Sequence, residues 1–264
     1  MLLQVQDLSI SYGKNKPVLS GVSFELDKKE IMAIVGESGS GKTTVIRAIQ
    51  GCLPANGHIS RGKILFNGKD ITQASSAEKR ELSGKSFSMI FQDCGNMINP
   101  IRTIGTQYVE YICCHDGLAT KAGAYTRACE MLTRMRLPNV ENIMHSYPFE
   151  LSGGMRQRVG IAIAMTFKPA VLLADEPTSA LDVTTQAQIV RQIVDVRNED
   201  EAAVIIVTHN LGVASYMANK IMVMKNGQVV ESGKREDVIR NPQHPYTREL
   251  LASVPMIGGE RYVI

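Results

Sequence analysis

No stretch of this chain is apolar for long enough to cross a bilayer, which takes about 20 mostly apolar residues. Its longest apolar run, Ile161 to Ala174, is broken by Lys168 and Pro169. The N-terminal MLLQVQDLSISYG puts no basic region ahead of an apolar one, so no signal peptide is expected. If the protein works at a membrane, another chain does the crossing. Excess charge is also missing: 29 basic residues face 26 acidic ones, a net of +3. A dedicated nucleic-acid binder would show a strong basic excess. The five cysteines are odd in number and form no C-x-x-C pair. That argues against a disulfide framework and for a reducing compartment. There is no internal repeat and no low-complexity segment. What is present is ordinary: 264 residues, 44% hydrophobic. This excludes disorder as the main description and leaves one large domain, or one domain with inserts.

The first part reads as strands. Val22, Phe24 and Leu26 alternate with polar residues, the period of a half-buried strand. Ile31 to Val35 is a continuous apolar run, as in a strand buried on both faces. Asn67-Gly68 and Asn226-Gly227 are two-residue hairpin signals. The first follows Lys63 to Phe66. The second joins Ile221–Met224 to Gln228–Val230. From about Asp93 to Phe167 helical spacing takes over, as at Ala128, Leu132 and Met135. Strands return at Val171–Ala174 and Val204–Val207, separated by a helix with Ile189, Ile193 and Val196 on one stripe. Alternating strands and helices predict a parallel α/β sheet with an inserted helical subdomain. After Asn241 three prolines break the pattern, and the tail is expected over the surface.

Gly36-Glu37-Ser38-Gly39-Ser40-Gly41-Lys42-Thr43 matches G-x-x-x-x-G-K-[ST]. Glycines let successive backbone N–H groups turn inward around a phosphate. The following helix adds its positive N-terminal end. Lys42 can reach the β- and γ-phosphates, and the Thr43 hydroxyl can ligate Mg²⁺. The motif follows a strand and opens a helix, the context that separates a phosphate loop from a chance glycine-rich turn.

Val171-Leu172-Leu173-Ala174-Asp175-Glu176 is a buried strand ending in two carboxylates. Asp175 can hold the Mg²⁺ shell and Glu176 can polarise an attacking water as general base. Alone, the pair is also an ordinary acidic turn. Leu151-Ser152-Gly153-Gly154-Met155-Arg156-Gln157 puts a serine cap and two glycines ahead of a helix. That is either a second anion site or simply a capped helix.

Together these segments resemble an ATP-binding cassette (ABC) ATPase. The phosphate loop, Leu151–Gln157, Leu172–Pro177, Ser179-Ala180-Leu181-Asp182 and Thr208-His209 are all present. They span essentially the whole chain, in the family's order. The resemblance implies an α/β P-loop NTPase fold. Its RecA-like core with an antiparallel β subdomain would take 1–92 and 167–240. A helical subdomain bearing the signature would take 93–166, and a tail 241–264. It further implies ATP and Mg²⁺ as cofactors, with Glu176, His209 and Lys42 catalytic. Nucleotide contacts would come from Tyr12 (stacking on adenine), Gly36, Ser38, Gly39, Ser40, Gly41, Lys42, Thr43, Thr44 and Gln92. Ser152, Gly153, Gly154 and Asp182 would act across a dimer interface. Thr43, Gln92 and Asp175 would attend the metal. His209 matches the histidine that contacts the γ-phosphate, and Gln92 the glutamine loop at the junction with the helical insert.

Some positions depart from the pattern. Met155 replaces the commoner glutamine, Asn210 the usual aspartate, and Cys94–Met97 the proline-bearing loop, while Asn99-Pro100 keeps its end. None removes a phosphate, metal or base function. Asn241-Pro242-Gln243-His244-Pro245-Tyr246-Thr247 and Tyr147-Pro148 resemble the peptide and nickel importer subgroup. By that resemblance the chain is the ATP-hydrolysing subunit of an importer of nickel or a metal chelate, or of di- or oligopeptides. It would lie peripherally on the cytoplasmic face of the inner membrane. Its partners would be two transmembrane permeases, a second homologous ATPase (making a heterodimer or a homodimer) and, indirectly, an extracytoplasmic solute-binding protein. No nucleic acid is expected. The chain stops at Ile264 with no cysteine after Cys129, which resembles the metal-chelate ATPases more than the longer peptide ones. The alternatives are the ATPase of another ABC system or a soluble cassette ATPase uncoupled from transport. Cys113-Cys114-His115 is not expected to be a metal site, because adjacent helix residues point in different directions.

Overall fold

The computed structural model describes residues 1–13, 16–92, 94–179, 181–253, 256–257 and 260–261. Asp93, the first residue of the expected helical insert, and Ala180 of the Ser179–Asp182 motif lie outside them. Along the chain the first elements are β1 (Leu3–Tyr12), β2 (Lys16–Leu26), β3 (Ile31–Val35), α1 (Lys42–Gln50), β4 (Gly57–Phe66), β5 (Lys69–Asp70) and α2 (Ser76–Leu82). There follow β6 (Phe87–Ile90), α3 (Cys94–Met97), α4 (Ile104–His115), α5 (Lys121–Arg134), α6 (Val140–His145), α7 (Gly153–Met165), β7 (Val171–Asp175) and α8 (Val183–Asp200). The last are β8 (Ala203–Thr208), α9 (Leu211–Met217), β9 (Lys220–Lys225), β10 (Gln228–Lys234), α10 (Arg235–Arg240) and α11 (Pro245–Ala252). Among the described residues no helix is long and apolar enough to cross a membrane.

These elements pack as two compact units, Met1–Glu81 with Glu201–Ile264, and Leu82–Asp200. The first unit holds an antiparallel sheet in the order β2-β1-β4-β5 and a run of strands in the order β10-β9-β3-β8. β3 pairs in parallel with both β8 and β9. Every residue of β3 and β8 is buried, as their unbroken apolar runs require. Each fully buried Val or Ile there stabilises the unit by about 1.5–3 kcal/mol. Val22, Phe24 and Leu26 are buried in β2, as their alternation predicts. Both hairpin signals are turns: Lys69 pairs with Phe66, and Gln228 with Lys225. Asn226 and Gly227 take φ of +49° and +78°, the left-handed pair that a two-residue turn needs.

The second unit carries the parallel pair β6–β7 and most of the helices. It therefore includes two strands besides the helical segment. Thr103 and Thr120 cap α4 and α5 with their hydroxyls, and the long β-poor stretch folds as separate capped helices. Arg134 spans Glu199 and Asp200 at the end of α8. At the end of α4, in the Cys113-Cys114-His115 run, the His115 ring lies 4.3 Å from that of Tyr111 and 5.6 Å from that of Phe167. Cys113 directs its thiol at the Ala119 carbonyl.

The tail corrects one expectation. Its prolines suggest a surface strap, yet α11 buries Tyr246, Thr247 and Leu251. Pro245 sits in the first turn of α11, where its missing N–H costs nothing and its fixed φ suits a helix start. The break in pattern therefore starts a helix that packs its apolar face inward.

Candidate nucleotide site

In the first unit the register decides what meets what. Val35 of β3 lies opposite Thr208 of the parallel β8. Gly36 and His209 thus leave the same C-terminal ends of neighbouring strands, the end at which parallel α/β sheets bind ligands. Gly36 has φ +152°, and a Cβ there would lie 2.2 Å from the Met224 carbonyl oxygen. Only glycine fits so close to β9. Glu37, Ser38 and Gly39 are exposed, while Ser40 and Lys42 are buried.

Lys42 turns back over the loop, its ammonium donating to the carbonyls of Gly36 at 2.8 Å and Glu37 at 2.7 Å. The N-cap of α1 is Gly41, so no side chain caps the helix. The Ser40 Oγ is buried and has no hydrogen-bond partner among the described residues. A polyphosphate suits this cradle: a charged lysine, uncapped helix donors and a buried hydroxyl. Thr43 follows Lys42 in the first turn, and its hydroxyl is of the type that ligates a hard cation. Thr44 is buried beside Tyr12, whose hydroxyl lies 3.3 Å from the Thr44 Oγ1. The Tyr12 ring edge covers Gly57, where a Cβ would come within 2.8 Å of Cε1. His209 is exposed just beyond β8. Asn210 next to it caps α9, accepting from Gly212 N–H at 2.8 Å. Asparagine caps as well as aspartate, so the departure at this position keeps the helix start.

The second unit repeats the register argument. Ile90 of β6 lies opposite Ala174 of β7, so Gln92 and Glu176 leave adjacent strand ends two residues later. The Gln92 amide donates to the Glu176 carboxylate at 3.4 Å. Asp175 is buried at the end of β7, and Glu176 is half-buried. Glu176 has φ +44°, a left-handed conformation that costs a non-glycine residue about 1–3 kcal/mol. Such strain persists only where the surroundings fix it. Two amides do so here. Gln157 of α7, itself buried, donates to the Pro177 carbonyl at 2.7 Å. Gln186 of α8 donates to the carbonyls of Thr178 at 2.9 Å and Leu181 at 3.1 Å. The strand-to-helix turn after Glu176 is thus clamped from both sides. The sequence motif contains Gln157 but assigns it no role. Its one signal is its place a turn and a half into the helix after Ser152.

Ser152 caps α7, accepting from Met155 N–H at 3.3 Å, with Gly153 and Gly154 in the first turn. Asp182 caps α8: its carboxylate accepts from Thr185 N–H at 2.9 Å and from the Thr185 hydroxyl at 2.7 Å. Within each unit, then, the sequence-derived residues gather as follows. Tyr12, the phosphate loop and His209 belong to the first. Gln92, Asp175, Glu176, Ser152–Gly154 and Asp182 belong to the second.

Residues 19–179 match the ABC transporter family, and residues 230–263 match the oligopeptide/dipeptide transporter C-terminal region. The chain belongs to the ABC transporter family. Its ABC relatives include the oligopeptide transport ATP-binding protein OppD of Bacillus subtilis (strain 168). That protein is 44% identical over 260 residues, covering 97% of this chain and 72% of OppD. The dipeptide transport ATP-binding protein DppD of the same organism is 42% identical, covering 97% of this chain and 77% of DppD. Among solved structures, the dimeric ATP-binding cassette MJ0796 in a post-hydrolysis state with ADP and Pi superposes with a TM-score of 0.78. It is 26% identical, covering 89% of this chain and 99% of that one. The fold is that of a P-loop ABC ATPase, as the sequence predicts, and ATP hydrolysis is the activity of this ABC chain.

Proposed function

We propose that this chain is the ATP-hydrolysing subunit of an importer of di- or oligopeptides, working through separate permease subunits. The observation that carries the solute class is the match of residues 230–263 to the oligopeptide/dipeptide transporter C-terminal region. A cassette alone supports only a transport ATPase.

In this reading Lys42, Ser40 and the first donors of α1 bind the triphosphate. Tyr12 stacks on the base. Thr43 of the first unit and Asp175 and Gln92 of the second would hold Mg²⁺, which would supply charge neutralisation to the phosphates. Glu176 takes a proton from the attacking water. Gln92 steadies that carboxylate, and the clamped turn at Pro177 fixes its direction. His209 donates to a phosphate oxygen. Ser152, Gly153, Gly154 and Asp182 act on nucleotide held by a second ATPase subunit, homologous or identical. The membrane partner would cover exposed apolar residues of the second unit, Met97, Ile101 and Phe149. The chain would then sit peripherally on the cytoplasmic side of the membrane, with a solute-binding protein beyond it.

The test is ATP-driven uptake of a labelled tripeptide into vesicles carrying the chain with its co-purified permeases. Uptake that needs ATP and is lost in Lys42→Ala supports the proposal. ATP-driven uptake of nickel but not of peptide would assign the other solute. Absence of ATP hydrolysis would overturn the ATPase roles.

A further inference from the structure

The His244-Pro245-Tyr246-Thr247 run takes no part in the chemistry assigned to the phosphate loop, yet it reaches that loop. Tyr246 is only 2% exposed. Its hydroxyl accepts a hydrogen bond from the backbone N–H of Glu37 at 3.0 Å, across 209 residues of sequence. Burial, with the nearby Glu37 charge, pushes the phenol pKa upward, against the pull of that hydrogen bond. The hydroxyl stays protonated and neutral.

The Glu37 backbone is thereby held at both ends. Its N–H is taken by Tyr246, and its carbonyl takes the Lys42 ammonium at 2.7 Å. Two further supports hold the loop. The Met224 carbonyl closes on Gly36, and Gly227 N–H donates to the Ser40 carbonyl at 3.0 Å. Tyr246 itself is fixed from two sides. The Lys225 ammonium lies 4.2 Å above its ring, and its backbone N–H donates to His244 Nδ1 at 3.1 Å. The start of α11 is tied to β10, because the Glu231 carboxylate accepts from the N–H groups of Gln243 at 2.8 Å and His244 at 3.0 Å.

We propose that Tyr246 is a positioning residue for nucleotide binding. Its hydroxyl sets the Glu37 backbone, and through it the place from which Lys42 reaches the phosphates. The tail helix is on this view a third support of the phosphate loop, resting on the reading of that loop as the ATP site. A tyrosine that only fills the core would leave nucleotide affinity untouched when its hydroxyl is removed.

Tyr246→Phe keeps the ring, its packing and the Lys225 contact and removes the bond to Glu37. The expected result is a rise of about fivefold in the Kd and KM for Mg-ATP, the loss of one neutral hydrogen bond. Turnover at saturating ATP should change by less than about twofold, as expected when ground-state binding alone is weakened. The melting temperature without nucleotide should fall by no more than about 2–4 °C, the stability cost of one neutral hydrogen bond. Wild-type Kd and KM in the variant would overturn the proposal. An experiment on the unaltered chain reads the same contact: the Glu37 amide should exchange with solvent at least about 100-fold below its intrinsic rate. Unprotected exchange would overturn the proposal even if the variant failed to fold. A wild-type chain that bound no Mg-ATP would instead overturn the assignment of the loop.

Discussion

Two helices in this molecule begin where a phosphate is expected, and they begin differently. α1 opens from a glycine with no side-chain cap, beside a buried lysine and a buried unpartnered hydroxyl. α7 opens from Ser152, whose own hydroxyl already accepts from Met155 N–H at 3.3 Å. In that respect α7 matches α4 and α5, capped by Thr103 and Thr120 at 3.4 and 3.1 Å. An uncapped end next to a lysine displays its purpose within one chain. A self-capped end does not, and only the two glycines after Ser152 set it apart. The difference fits the proposed division of roles, in which α1 would hold the nucleotide outright and α7 would complete a site supplied by another subunit.

Four substitutions test that contrast, beginning with the largest effect. Lys42→Ala should lower steady-state phosphate release by at least about 100-fold, because a charged donor to the transferring group is lost. Retained turnover would remove α1 from its assigned role. Gly36→Ala should then cost about 3 kcal/mol in chemical denaturation, since the added Cβ meets the Met224 carbonyl. Next, Ser152→Ala and Thr120→Ala should each cost about 1 kcal/mol of stability as lost caps. Only Ser152→Ala should also reduce ATP turnover of the assembled complex, by about tenfold. Equal turnover in the two would make α7 an ordinary capped helix.

Smallest is the tail anchor. Burial alone would raise the Glu231 pKa, but hydrogen bonds from the start of α11 outweigh it and hold the carboxyl below its ordinary value. A depressed carboxylate stabilises the fold fully above about pH 5 and loses that contribution as the pH falls through the lowered value. Glu231→Ala should cost about 1–2 kcal/mol at pH 7, and less once the wild-type carboxylate is protonated. A pH-independent difference would sever the tail from Glu231.

The strand-loop-helix of the phosphate site was legible because its signals are local: an apolar run, a glycine-rich motif and a helix in unbroken sequence. The hairpins at Asn67-Gly68 and Asn226-Gly227 were legible for the same reason. The carboxylates at the end of β7 were visible as residues, but the left-handed turn at Glu176 was not. It is held by amides from Gln157 and Gln186, residues on two different helices with no shared period. Tyr246 was read only as part of a tail mark, since no window of sequence links it to Glu37. The prolines near it read as breakers, although one of them begins a helix. The cap role of Asp182 was hidden because its sequence motif suggests an interface first. Local chemistry was readable, and contacts fixed by tertiary packing were not.

The ATPase assignment comes down to one carboxylate. Phosphate release and Mg-ATP binding should be measured side by side for the wild-type chain and Glu176→Gln. The expected result is nucleotide binding within about threefold of wild type and phosphate release at least about 100-fold slower, as for loss of a general base. Hydrolysis by Glu176→Gln at the wild-type rate would contradict it.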